Sequence, residues 1–404
     1  MATERLSIKS FKGIKNLEIE VKPFTVLTGP QSVGKSTTAK LLHFFKTIPK
    51  QLENAAIADA VLKRHGNSTE ESGPSPSLIS EFFRLLPPSG QTEDKSEIQY
   101  SCGADSFSLS GERDLWNLQI PKTYTDEFVN SVKAISSAED QLQEVMQSAF
   151  SRAGRSLYIP AGRAFYAQVE KDPVSFFGAA TLDPAVADFG KFYARVRNFP
   201  TPGVPMGLAR EGRALSEEFL GGTYRRENDR DFIELPDGQR LSPGSWSSGQ
   251  QESLPLALIL EKCISQDHPL RDVTSLFVEE PEAHLYPTSQ RTIVQLLALA
   301  FNAMEGKANF IITTHSPYVL STLNNLLKAG ELFARHKSDG KRRAVSSVVS
   351  ESIALSRDSI GAYYMDRNGC HSMIDNETGL IDGRGIDDVS EEIAEKFDAL
   401  LDVE

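Results

Sequence analysis

The stretch "FTVLTGPQSVGKSTTAKLL", which begins at Phe24, constrains this chain more than any other. A β-rich run over 24–28 enters a glycine turn and leaves as an apolar helical pattern over about 36–45. In the spacing G-x-x-x-x-G-K-S, Gly29 and Gly34 let the backbone bend so that successive N–H groups point inward. Those donors, with the positive end of the following helix, favour an anion. The pattern wraps Gly29, Pro30, Gln31, Ser32, Val33, Gly34, Lys35, Ser36 and Thr37 around a chain of phosphates. Lys35 is placed for the terminal phosphates and the Ser36 hydroxyl for Mg²⁺. A glycine turn that contains Gly-Lys-Ser by chance is the plain alternative, so the rest of the chain has to decide.

Alternation of strand and helix patterns gives the fold class, α/β with a mostly parallel sheet. "SLYIP", "SLFVEE" and "NFIITTH" are the continuous apolar runs that such a sheet buries on both faces. "LEIEV" instead alternates apolar and charged residues, and "EIQYSC" and "SFSLSG" look like a further pair, so an antiparallel β subdomain is expected. Residues 51–97, rich in Ser, Pro, Gly and Glu, read as a mobile insertion. Residues 125–150 read as a polar helix and 166–230 as a helical or irregular insertion. "DFIELPDGQRLSP" reads as a hairpin turning at Asp237-Gly238. Helical patterns cover 250–264, 289–304 and 318–327, and the tail adds a hairpin at Asn368-Gly369 and a closing helix over 389–401. The expected organisation is one unit over 1–404, split in sequence. Its N-terminal lobe is 1–50 with 98–165, the other motifs fall in 231–332, and 333–404 is a C-terminal extension.

The net charge of −12 gives no global attraction to nucleic acid or to an anionic membrane. Such contact would need local basic clusters: Lys9, Lys12 and Lys15; Arg210 and Arg213; Arg225 and Arg226; or "RHKSDGKRR" from Arg335 to Arg343. Each is equally a solvated face. Cys102, Cys263 and Cys370 show neither metal-ligand spacing nor a disulfide framework, which suits a reducing compartment. With no signal-type or membrane-length apolar run, a soluble cytoplasmic protein without membrane contact is expected.

"SLFVEEPEAHLYP" places adjacent carboxylates at the end of a buried strand. Neighbours on a strand point to opposite sides. One carboxylate can therefore face Mg²⁺ through water, the Glu279 role, while Glu280 polarises an attacking water as general base. "NFIITTHSP" ends the next strand with His315, where a neutral imidazole can bond a phosphate or that water; a lone capping histidine is the alternative. "WSSGQQE" precedes an apolar helix, so Ser247, Gly249 and the helix N-terminus form a second anion-binding end; alone, the motif is also a simple N-cap.

In this order the motifs resemble the ABC-type ATPase superfamily of P-loop NTPases. Walker A is GPQSVGKS, the signature SSGQQ, Walker B with its catalytic glutamate LFVEE, the D-loop PEAHLYP and the switch TTHSP. "LSIKSFKGIKNLEIEV", "EEPEAHLYP" and "SLYIPAGR" are similar to the SMC/RecF/OLD-like branch. That branch includes AAA family ATPases of bacterial antiphage-defence systems such as retron and Septu. The resemblance implies an ATPase head with ATP and Mg²⁺ as cofactors and a head-to-tail homodimer. In it Ser247, Gly249 and Gln250 of one copy close on ATP held by the other. It also implies Arg163 near the nucleotide.

This chain departs from the branch in several places. Glu279 stands where Asp is usual, which implies slow turnover, and Tyr286 where His is usual. The Q-loop glutamine has no clear counterpart, Gln168 being a candidate. No Toprim nuclease motif and no sustained heptad arm is present. The resulting expectation is an ATPase that gates or scaffolds a separate effector, such as a nuclease or toxin, in antiphage defence. The alternative is a RecF- or SMC-like ATPase that acts directly on DNA. A transporter subunit fits poorly, because its signature follows Walker A more closely.

Overall fold

The structure, a computed structural model, describes residues 3–64, 75–88, 95–112, 115–137, 155–166, 183–198, 206–265, 270, 272–383 and 395–398. Its centre is a six-stranded sheet in the order β14-β13-β3-β12-β11-β7. The strands are β3 (Phe24–Thr28), β7 (Arg155–Ile159), β11 (Val273–Glu279), β12 (Asn309–Thr314), β13 (Ile360–Met365) and β14 (Cys370–Ser372). All neighbours run parallel except the edge pair β13 and β14.

The apolar runs explain this sheet. Successive side chains alternate between faces, and here both faces are covered. Phe24, Val26, Leu276, Val278, Phe310 and Ile312 enter one core cluster, while Leu27, Phe277 and Ile311 enter the other. The first cluster lies against α5 (Leu208–Leu220), α6 (Ser248–Ser265), α7 (Pro287–Ala303) and α8 (Pro317–Arg335). The second includes α1 (Lys35–Arg64), which separates the central sheet from an antiparallel sheet in the order β2-β1-β4-β5-β6. The strands of that sheet are β1 (Glu4–Phe11), β2 (Ile14–Val21), β4 (Ser96–Cys102), β5 (Asp105–Glu112) and β6 (Leu115–Gln119). A third sheet joins β8 (Thr223–Glu227), β9 (Arg230–Glu234) and β10 (Arg240–Leu241). The hairpin read at Asp237-Gly238 is present as β9 and β10, and that at Asn368-Gly369 as β13 and β14.

The fold class is as expected, α/β with a mostly parallel sheet and an antiparallel subdomain. The first helix differs from expectation. It does not stop near residue 45 but continues through Pro49 to Arg64. Proline removes one helix hydrogen bond and clashes locally, at a cost of roughly 3 kcal/mol. Beyond it Leu52 and Ala56 are buried and the helix packs along α3 (Lys122–Ser137), so tertiary burial holds the helix together.

Residues 51–97 are therefore not one mobile insertion. Positions 51–64 belong to α1, α2 (Ser75–Leu85) buries Phe82 completely, and β4 starts at Ser96. The insertion read over 166–230 contains α4 (Pro184–Asn198), α5 and β8. Residues 65–74, 138–154 and Gln168 lie outside the described residues, as does all of the closing helix but 395–398, which are helical. No helix among the described residues is long and apolar enough to cross a membrane.

Candidate active site

Parallel strands that end together create a crevice at their C-terminal edge. Here Thr28 pairs with Thr314 and Glu279 with Thr313, so β3, β12 and β11 end level with one another. The glycine loop leaves β3 at that edge and α1 starts at Lys35. Gly29 has φ 136° and Gly34 φ 99°, as the tight curl requires. The N–H groups of Gln31, Ser32 and Gly34 make no hydrogen bond among the described residues. Buried Lys35 folds back, its Nζ donating to the carbonyls of Gly29 (2.9 Å) and Pro30 (2.6 Å). Burial pushes the Lys35 pKa down to about 8, against the pull of the Glu280 and Glu282 carboxylates. Ser36 is exposed and Thr37 half-buried. Free N–H groups, a lysine bound only to loop carbonyls and an open hydroxyl fit a polyphosphate and its cation.

The adjacent carboxylates do diverge. Glu279 turns toward β7, where its oxygens accept from the Tyr158 hydroxyl (2.7 Å) and the Ala161 N–H (3.1 Å). It remains a candidate for Mg²⁺ through water only, on its remaining lone pairs. Among the described residues no cluster of His, Cys, Asp and Glu side chains could hold a metal alone. Such an ion would draw on phosphates, Ser36 and water, as magnesium commonly does. Glu280 sits in the left-handed region (φ 41°) with its N–H on the Thr313 carbonyl. Its Oε1 is 3.4 Å from His315 Nε2. Burial, then the Lys35 charge, lower the His315 pKa, so the imidazole is neutral near pH 7.

Sequence reading missed Glu282, although "EEPE" displays it. Its Oε1 accepts from the Thr314 hydroxyl (2.6 Å) and the His315 N–H (2.8 Å), which fixes the end of β12. Its Oε2 is buried without a partner, and burial raises the Glu282 pKa. Arg163 was expected near the nucleotide. It is fully buried behind the carboxylate strand and bonds the main-chain carbonyls of Glu279 and Glu280. Apart from the Pro160 carbonyl, its partners, Glu252 included, come from distant stretches of chain, so no local pattern reveals them.

The signature begins α6. Ser247 and Gln250 cap each other, Ser247 N–H to Gln250 Oε1 (2.9 Å) and Gln250 N–H to Ser247 Oγ (3.2 Å), a capping box. Gln250 also donates to the Leu220 carbonyl (2.7 Å). A side chain on Gly249 would meet the His284 carbonyl at 3.0 Å, so the D-loop backbone lies directly on the signature. The structure thus brings Lys35, Glu280 and His315 together, whereas Ser247 is exposed and its hydroxyl accepts only the Gln250 N–H among the described residues.

Arginines in two of the basic clusters are paired. Arg225 pairs with Glu234, Arg226 with Asp229 and Asp231, Arg335 with Glu331, and Arg342 with Glu351.

The strand ends therefore carry the apparatus of a P-loop ATPase, with β12 inserted between the loop strand and the carboxylate strand. The chain belongs to the family described as "AAA domain, putative AbiEii toxin, Type IV TA system", which matches residues 24–321. That membership bears out the reading of an AAA family ATPase.

Two curated relatives match in part. The retron Ec83 probable ATPase of Escherichia coli is 36% identical over 90 residues, 21% of this chain and 16% of that protein. The retron Vc95 probable ATPase of Vibrio cholerae serotype O1 biovar El Tor is 29% identical over 100 residues, 24% of this chain and 19% of that protein. The matches thus span less than a fifth of either relative's length. Among solved structures, an Smc head bound to the C-winged helix domain of ScpA is similar at a TM-score of 0.40 and 12% identity. That match covers 92% of this chain and 97% of the other.

Proposed function

We propose that the chain binds ATP with Mg²⁺ and closes head-to-tail on a second copy around ATP. It hydrolyses ATP slowly and so gates or scaffolds a separate effector in bacterial antiphage defence. The observation that carries this reading is the division of the site. Lys35, Glu280 and His315 converge on one edge, whereas Ser247 stands exposed at the N-terminus of α6.

In this mechanism Lys35 exchanges its loop carbonyls for the β- and γ-phosphates. Mg²⁺, when bound, neutralises charge on those phosphates, with Ser36 and the Glu279 shell to hold it. Glu280 takes a proton from the attacking water while neutral His315 orients that water or the γ-phosphate. Ser247 and the N–H groups behind it meet the γ-phosphate held by the second copy. Loss of that phosphate removes the contacts that favour the closed state. The retron names of the relatives support the defence setting, and the paired arginines favour a protein effector over a nucleic-acid groove.

The test is Glu280→Gln with ATP, followed by light scattering after gel filtration. A dimer that Ser247→Arg abolishes, with affinity for a fluorescent ATP analogue unchanged, is expected. A monomer in Glu280→Gln with ATP overturns the reading. Stimulation of wild-type hydrolysis by duplex DNA, single-stranded DNA or RNA would favour direct action on nucleic acid instead.

A further inference from the structure

We infer that Arg163 and Glu252 form a buried positioning pair that couples the two ATP sites of the closed dimer. This rests on the head-to-tail reading above and adds a route within each subunit.

Arg163 is 0% and Glu252 1% exposed. The Arg163 guanidinium donates to the carbonyls of Pro160 (2.9 Å), Glu279 (2.7 Å), Glu280 (2.9 Å) and Glu252 (3.0 Å). The Glu252 carboxylate accepts the N–H groups of Arg163 (2.8 Å) and Ala164 (2.7 Å) and lies 3.4 Å from the guanidinium. One buried cluster therefore joins the end of β7, the end of β11 and the start of α6.

A buried ion pair is a poor source of stability compared with well-packed apolar residues, so its value here lies in placement. What it places is specific. Glu280 has left-handed backbone, a conformation that persists only where its surroundings over-determine it. Arg163 grips the carbonyls of the two peptides that flank the Glu280 Cα.

The same cluster reaches the signature. Glu252 lies in the first turns of α6, whose N-terminus carries Ser247. When Ser247 engages the γ-phosphate in the second copy, any shift of α6 moves Glu252, and Arg163 carries the shift to the backbone of Glu280. Glu280 acts on the ATP of its own subunit. Each catalytic carboxylate is thus set by occupancy of the neighbour's site, and the two sites are coupled.

Glu252→Gln tests this in the full chain. The amide replaces one carboxylate oxygen with a donor that faces the Arg163 or Ala164 N–H group. Wild type is expected to hydrolyse ATP with a Hill coefficient above 1, and the variant with one near 1, since coupling between sites is what raises it. The variant's kcat should fall by about tenfold, with its affinity for a fluorescent ATP analogue kept within about threefold. A variant that merely lost structure would lose affinity and rate together. Should Glu252→Gln not fold, Arg163→Lys keeps the charge, loses the two-pronged grip and reads the same quantities. A Hill coefficient and kcat equal to wild type in a folded variant overturn the pair's role while leaving the dimer intact. Failure of Glu280→Gln to dimerise with ATP overturns both readings.

Discussion

His315 Nε2 stands 3.4 Å from Glu280 Oε1, across the boundary between β12 and β11. The Glu282 carboxylate fixes the backbone of His315, and burial with the nearby Lys35 charge keeps its ring neutral. A neutral imidazole there can orient a water for Glu280 without taking its proton. His315→Ala should lower turnover by ~10²-fold, the lower end of what positioned acid–base groups contribute. ATP affinity should change little, since Lys35 and the loop N–H groups remain. Phosphate release and a binding titration on the same preparation separate the two effects. Wild-type turnover would remove His315 from the chemistry.

Gly29 offers a sharper structural test. A Cβ there would lie 2.0 Å from the Met365 carbonyl, and φ is 136°. Gly29→Ala must push the loop away from β13, with an overpacking cost of about 1–3 kcal/mol. Nucleotide binding should be lost along with some thermal stability. Gly162→Ala is the matched control. Its φ is also positive, at 76°, but nothing lies within 4 Å, so only the conformational cost of about 1–2 kcal/mol applies.

These positions also show which parts of the molecule the sequence reveals. The loop, the adjacent carboxylates and His315 follow strands whose apolar runs and turn residues are local signals, and the strands' level ends then bring them together. The length of α1 was not legible, because Pro49 argues locally for a stop and only burial of Leu52 and Ala56 overrides it. Arg163 could be picked out within "SLYIPAGR" but not placed. Its burial depends on Glu252 and on carbonyls of β11, contacts that only the folded chain creates. Glu282 was hidden for a related reason: its partners, Thr314 and His315, lie at and just beyond the end of another strand.

Glu282 therefore makes its own prediction. Glu282→Ala removes the acceptor of the Thr314 hydroxyl and the His315 N–H, leaving buried donors unpaired at about 1–3 kcal/mol. The melting temperature should fall by a few degrees, about 2–4 °C per kcal/mol in a large domain, and turnover should fall because His315 loses its anchor. Glu282→Gln keeps one acceptor oxygen and removes a buried carboxylate whose other oxygen has no partner. It should be close to wild type in melting temperature. Equal loss in both variants would show that the negative charge, and not the acceptor, is what the site uses.

The clearest pH dependence belongs to a residue behind the site. His43 lies on α1 with its Nδ1 2.8 Å from Ser156 Oγ and its ring beside Tyr158 and Phe277. Burial, then the charges of Arg84 and Lys40, push its pKa down to about 3 from 6.5. The folded chain therefore keeps His43 neutral where the unfolded chain protonates it. The unfolded state binds more protons below pH 6.5, so stability is complete above that value and is lost as pH falls toward 3. His43 alone can steepen the loss by up to about 1.4 kcal/mol per pH unit. Urea unfolding of wild type and His43→Gln between pH 7 and 4 reads this directly. The variant should be less stable at pH 7, where the fitted imidazole is lost, yet decline less steeply on acidification. Parallel slopes would mean that protonated His43 is tolerated in the folded chain, and that the layer between α1 and β7 admits water.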